Sequence, residues 1–126
     1  MDQALENRYP DEVLKGYTWN AKFFGVNGTI RTRAEIANDL RRVVLGAQSL
    51  DASTDIQKAV VAKDGVTTVV VQTLDMTKID PRTQFLHTTH SVITERDHWV
   101  HLSTGWRINR SRILSANVAV DGKSLR

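Results

Sequence analysis

Val66-Thr67-Thr68-Val69-Val70-Val71-Gln72-Thr73-Leu74 decides how this chain folds. The stretch is dense in β-branched residues, which fit the pleated surface of a sheet. Lys63-Asp64-Gly65 precedes it and the Lys78–Pro81 stretch follows it, and both have turn composition. It therefore reads as one long strand between two reversals. Apolar residues fall on both of its alternating sets, so each face of the sheet needs a cover.

Working outward, Ile56–Ala62 on one side and Gln84–Leu102 and Trp106–Val120 on the other share this β-rich character, with Ser103-Thr104-Gly105 as the last turn. Short turns between consecutive strands dictate antiparallel pairing, hence a four-strand meander whose longest members must bend or bulge. The first third of the chain has a different period. Thr32-Arg33-Ala34-Glu35 is a capping box, and the helix that follows carries Ile36, Leu40, Val43 and Val44 as an apolar stripe ending near Gly46. Ahead of it, Asn27-Gly28 marks a hairpin between Tyr17–Phe24 and Thr29–Arg31, with both turn positions expected at positive φ. A short helical segment over residues 3–16 is expected, with Pro10 at the first turn of its last part and Gly16 as its stop. Helices first and a long curved antiparallel sheet afterwards give an α+β domain spanning residues 1–126.

Composition bounds the function classes. The chain has 126 residues, no cysteine and a net charge of +3. Thiolate metal sites, disulfides and cysteine nucleophiles are excluded. No apolar run approaches the length of a membrane span. The acidic, polar opening predicts no secretory signal, and a cytoplasmic location is the expectation. Positive charge concentrates at the end, in Arg107, Arg110, Arg112, Lys123 and Arg126 against Asp121. Such an end could bind phosphate or nucleic acid, but it lacks the dense basic cluster with interleaved aromatics of a nucleic-acid surface, so a solvated strand face is expected.

Two blocks carry a family resemblance: Thr29-Ile30-Arg31-Thr32-Arg33-Ala34-Glu35-Ile36 and Asp97-His98-Trp99-Val100-His101-Leu102-Ser103-Thr104-Gly105-Trp106-Arg107-Ile108, followed by Asp121-Gly122-Lys123. Over roughly residues 10–123 the chain resembles the nuclear transport factor 2-like superfamily, in its SnoaL-like and ketosteroid-isomerase-like branch. The resemblance implies a cone-shaped fold, a strongly bent antiparallel sheet wrapped around N-terminal helices, with an apolar pocket at its open end. It also implies two kinds of role: a small-molecule-binding protein, with lyase- or isomerase-type chemistry, or a catalytically silent association module. No cofactor is implied. Isomerase-type members place a base aspartate just before the first hairpin turn. The matching Phe23-Phe24-Gly25-Val26 has no carboxylate, which argues against that mechanism. The family's opening helix, which lids the pocket, is longer than the segment before Pro10.

Within this frame the candidates are few. Alternation puts Tyr17, Trp19, Ala21 and Phe23 on one face of the first strand, either as core under the helix or as walls for a flat apolar ligand. Trp19 and Trp99 are expected to flank that ligand, with Tyr17, Glu95 or His87 as the polar contact. His87, His90, His98 and His101 are bases by chemistry, but spacings of three split each pair between two faces, so no metal pair is expected. Of the four, His87 is the candidate base. Glu95 and Asp97 share a face, as a surface pair for Arg96, Arg107 or Arg110, or as a buried acid with a raised pKa. In isomerase-like members a protonated carboxyl near Glu95 donates to the substrate oxygen. A homodimer closing over the outer sheet face is the expected assembly.

Overall fold

The computed structural model describes residues 10–125, so the expectation of a helix over residues 3–9 and the charge of Arg126 lie outside the described residues. Its elements are α1 (Pro10–Leu14), β1 (Tyr17–Phe24), β2 (Ile30–Thr32), α2 (Arg33–Gly46), β3 (Ser49–Ala62), β4 (Gly65–Ile79), β5 (Leu86–Leu102), β6 (Gly105–Val120) and β7 (Lys123–Leu125). The strands form one sheet in the order β2-β1-β6-β5-β4-β3, with β7 also on β6.

The β3–β6 meander is antiparallel throughout, as its short turns require. The whole sheet is not. β1 runs parallel to β6, pairing Tyr17 with Ile108 and Phe23 with Ser111, which corrects the all-antiparallel expectation. No tight turn joins these two strands, so nothing local fixed their relative direction. β3 also begins at Ser49, seven residues before the apolar stretch at Ile56 that announces it.

The helix start is built as its sequence dictates. Thr32 N–H donates to Glu35 Oε1 at 3.1 Å, and Glu35 N–H donates to Thr32 Oγ1 at 3.2 Å. The Thr32 N–H, joined by the Thr32 hydroxyl donating to Glu35 Oε1 at 3.2 Å, holds the Glu35 carboxyl below its usual range. The β1–β2 hairpin departs from the expected two-residue turn. Only Gly28 has positive φ, at 83°, while Asn27 instead accepts from Thr29 N–H and Oγ1 through its side chain. On α2, Ala37 and Leu40 turn inward but Val43 is exposed; the Val44 part of the expected stripe lies outside the described side chains.

The core sits at one end of the sheet. Val13 of α1 and Leu40 of α2 pack with Ala47, Leu50 and Ala52 against Leu74 and Met76. Leu50 and Ala52 on β3, and Leu74 and Met76 on β4, belong to one alternating set on one face. The same sets continue as Thr54 and Ile56, and as Gln72, Val70 and Thr68. There, among the described residues, α1 and α2 no longer cover the sheet, and the site opens.

Candidate active site

Four strands bring side chains to that uncovered face, and their register sets the rows. Ile56 of β3 pairs with Val70 of β4, which pairs with Glu95 of β5. Thr68 pairs with Asp97, which pairs with Ser111 of β6. Trp99 pairs with Ile108. Thr54, Ile56, Val70, Trp99, Ile108 and both carboxylates line a cavity of about 240 Å³. That exceeds the ~150 Å³ apolar cavity that accepts benzene, so a one- or two-ring molecule fits. Trp99 is fixed as a wall by its Nε1–H, which donates to Thr68 Oγ1 at 3.0 Å.

The chemistry lies in two carboxyls that share one hydroxyl. Ser111 Oγ stands 2.6 Å from Asp97 Oδ1 and 2.8 Å from Glu95 Oε2. A serine hydroxyl has a single proton, so it donates to one carboxylate and accepts from the other group. Two contacts this short therefore need a proton on one of the two carboxyls. Burial agrees with that count, since Asp97 is 4 % exposed and Ser111 is 3 % exposed. Burial first, and then the Glu95 charge, pushes the Asp97 carboxyl up to about 7. Burial also raises the Glu95 carboxyl, against the lowering effect of its bond from Ser111. The pair titrates as one unit and keeps a proton toward neutral pH.

Tyr17 of β1 completes the polar group. Burial raises its phenol well above the usual value, and the charges of Glu95 and Asp97 raise it further, so its oxygen lies within their field. Its ring tilts against Phe23 at 5.1 Å. Tyr17 and Phe23 thus back the acid pair rather than wall the cavity.

Trp19 does not reach the site. It is 85 % exposed. Between Tyr17 and Lys22 the β1–β6 register shifts, β1 taking five residue steps where β6 takes two, and Trp19 stands in that irregular stretch. Strict alternation fails at such a bulge. His87 is corrected as well. Its Nδ1 lies 2.6 Å from Asp121 Oδ2 on the surface, and that hydrogen bond raises its pKa. Eight residues along β5 separate it from Glu95, more than 20 Å on a strand. The other histidines also take separate partners: His90 meets Asp75, His98 meets Thr67 and Asp64, and His101 stacks on Trp106. Among the described residues no group of three His, Asp or Glu converges.

Of the residues the sequence brought forward, the structure unites Glu95, Asp97, Trp99 and Tyr17, and it adds Ser111, Thr68 and Ile108. The shared face of Glu95 and Asp97 signalled the pair. Nothing in the sequence pointed to Ser111, because Asn109 and Leu114 are bulged on β6 and break its alternation.

No protein-family model and no curated protein matches the chain in sequence. Solved structures do match in fold. A protein of Novosphingobium aromaticivorans, provisionally assigned as a scytalone dehydratase, superposes with a TM-score of 0.75 at 12% identity, covering 99% of this chain and 81% of that one. A provisionally assigned dehydratase of the nuclear transport factor 2-like family from Streptomyces avermitilis gives 0.64 at 10% identity, over 89% and 86% of the two chains. A ketosteroid isomerase-like protein of Erwinia carotovora atroseptica gives 0.59 at 19% identity, over 90% and 87%. Such identities speak for architecture and not for activity. With α1 and α2 packed on one end of the sheet and a pocket at the other, this chain has the nuclear transport factor 2-like fold.

Proposed function

We propose that the chain binds a small, mostly apolar molecule carrying one polar oxygen, and moves a proton on it in a lyase- or isomerase-type step. The single observation behind this reading is Ser111 Oγ held between Glu95 and Asp97 inside an apolar cavity. The molecule would sit against Trp99, in the open interior of the cone that the family resemblance implies. One carboxyl of the pair, protonated, donates to the ligand oxygen. The other, ionised, takes a proton from the adjacent carbon. The fold likeness to two assigned dehydratases supports the class, and the absence of a carboxylate in Phe23–Val26 speaks against the usual isomerase base position.

The test is exchange of carbon-bound hydrogen. A two-ring ketone such as 2-tetralone is incubated with the protein in deuterated buffer, and α-deuteration is followed by NMR. Exchange faster than buffer, lost in Asp97→Asn and Glu95→Gln, supports the reading. Binding without exchange leaves a carrier. Neither binding nor exchange leaves the alternative, a catalytically silent dimeric association module, for which the exposed Val60 and Val61 on edge strand β3 offer apolar surface.

A further inference from the structure

The face of the sheet opposite the acid pair carries a cluster that proton transfer does not use. Arg96 stands directly across from Arg112, and His98 directly across from Arg110, on the β5–β6 ladder. On the far side of β6, Lys22 pairs with Arg110 and Phe24 with Arg112. Residues paired this way share a face, and Arg96 and His98 alternate with Glu95 and Asp97, so they point away from the pocket. Phe24, Thr67, Arg96, His98, Arg110 and Arg112 line a cavity of about 320 Å³.

Folding alone gives no reason for this arrangement. Like charges directly opposite in a sheet are destabilising, and here two guanidiniums face each other with a third beside them. A carboxylate would relieve them, yet among the described residues Arg96, Arg110 and Arg112 make no ion pair. The nearby Asp64 reaches only His98, at 3.7 Å. Arg112 is held by its flat face, 4.5 Å over the centre of the Phe24 ring, which leaves its N–H edge for another acceptor. His98 is 11 % exposed and forms part of the wall beside Thr67.

We propose that this cavity binds the phosphate group of a small molecule, clamped between Arg96 and Arg112 with Arg110 as third donor. Guanidiniums match phosphate oxygens in pairs, and a dianion removes the repulsion that the empty cluster carries. The arginines sit on two adjacent rows of two strands, a layout that suits one phosphate rather than a run of them along a polymer.

The test is calorimetric titration with inorganic phosphate and, separately, with single-stranded DNA, at ionic strength held constant with sodium chloride. Wild type is expected to bind phosphate above the chloride background. The double variant Arg96→Gln, Arg112→Gln should bind it at least tenfold more weakly while melting higher than wild type without phosphate. Arg110→Gln carries the same binding test should the double variant not fold. Asp97→Asn should leave phosphate affinity unchanged. Phosphate indistinguishable from chloride, or variants that bind like wild type, would overturn the proposal. So would DNA binding tighter than phosphate with an affinity that falls steeply as salt is raised, since that marks a polymer site.

Discussion

Ile108 and Ser111 lie three positions apart on β6 and still face the same side of the sheet, because Asn109 between them is bulged out of register. Ile108, 1 % exposed, becomes the floor of the cavity, and Ser111 comes under the two carboxyls. A regular strand would have sent one of them to the opposite face.

Ser111→Ala should therefore do more than remove one hydrogen bond. Two buried carboxyls lose their common partner, with an expected cost of about 1–3 kcal/mol in urea unfolding. Because the serine hydroxyl donates to the ionised member of the pair, ionisation of the pair should also move to higher pH, read by NMR of the side-chain carboxyl carbons.

Stability should fall as pH rises from about 4 to about 7. Asp97 has a folded value near 7, above its unfolded ~3.9, so the folded state binds the extra proton. Its contribution is complete below pH ~4 and is lost as pH climbs past about 7, at ~1.4 kcal/mol for each pH unit between the two values. Asp97→Asn should flatten the urea midpoint across that range. His87, raised by Asp121, loses stabilisation in the same direction, so His87→Gln is the control that separates the two.

The tryptophans should divide cleanly. Trp99→Phe should abolish most of the fluorescence change on ligand binding, since Trp99 walls the cavity. Trp19→Phe should leave both that change and stability within about 0.5 kcal/mol of wild type, as for other exposed sites. Equal responses from the two variants would place the ligand elsewhere.

Assembly is checked by sedimentation at micromolar concentration. Val69 and Val71 face the side of β4 away from the pocket, and neither belongs to the cluster that α1 and α2 pack against. A homodimer over the Val71 end of this face, beside the cationic cavity and leaving it open, is expected, and a clean monomer of about 14.2 kDa would exclude it.

Local features were legible because their causes are local. The capping box at Thr32, the turn at Lys63–Gly65 and the β-rich character of Val66–Val120 each depend on neighbours a few positions away. The shared face of Glu95 and Asp97 followed from period 2 alone. What escaped depends on distant strands. The β1 irregularity that ejects Trp19 is imposed by pairing with β6, and the bulge that recruits Ser111 arises on β6 against β5. The burial that separates an acid pair from a surface ion pair is likewise a property of the assembled sheet. The cationic cluster escaped for the same reason. Counting charge along the chain groups Arg110 and Arg112 with the end, while the sheet groups them with Lys22 and Arg96.

The parallel β1–β6 ladder also governs when the molecule becomes competent. Tyr17 can meet Ile108 only after everything between them, β2 to β5 included, has left the ribosome. The β3–β6 meander forms between neighbours, whereas β1 must close a loop around it, the slowest kind of contact to make. Since Tyr17 backs the acid pair, the pocket face is finished by β1, which precedes the meander in the chain and docks after it. Refolding followed by Trp99 fluorescence should lead, and burial of the Tyr17 phenol should lag behind it.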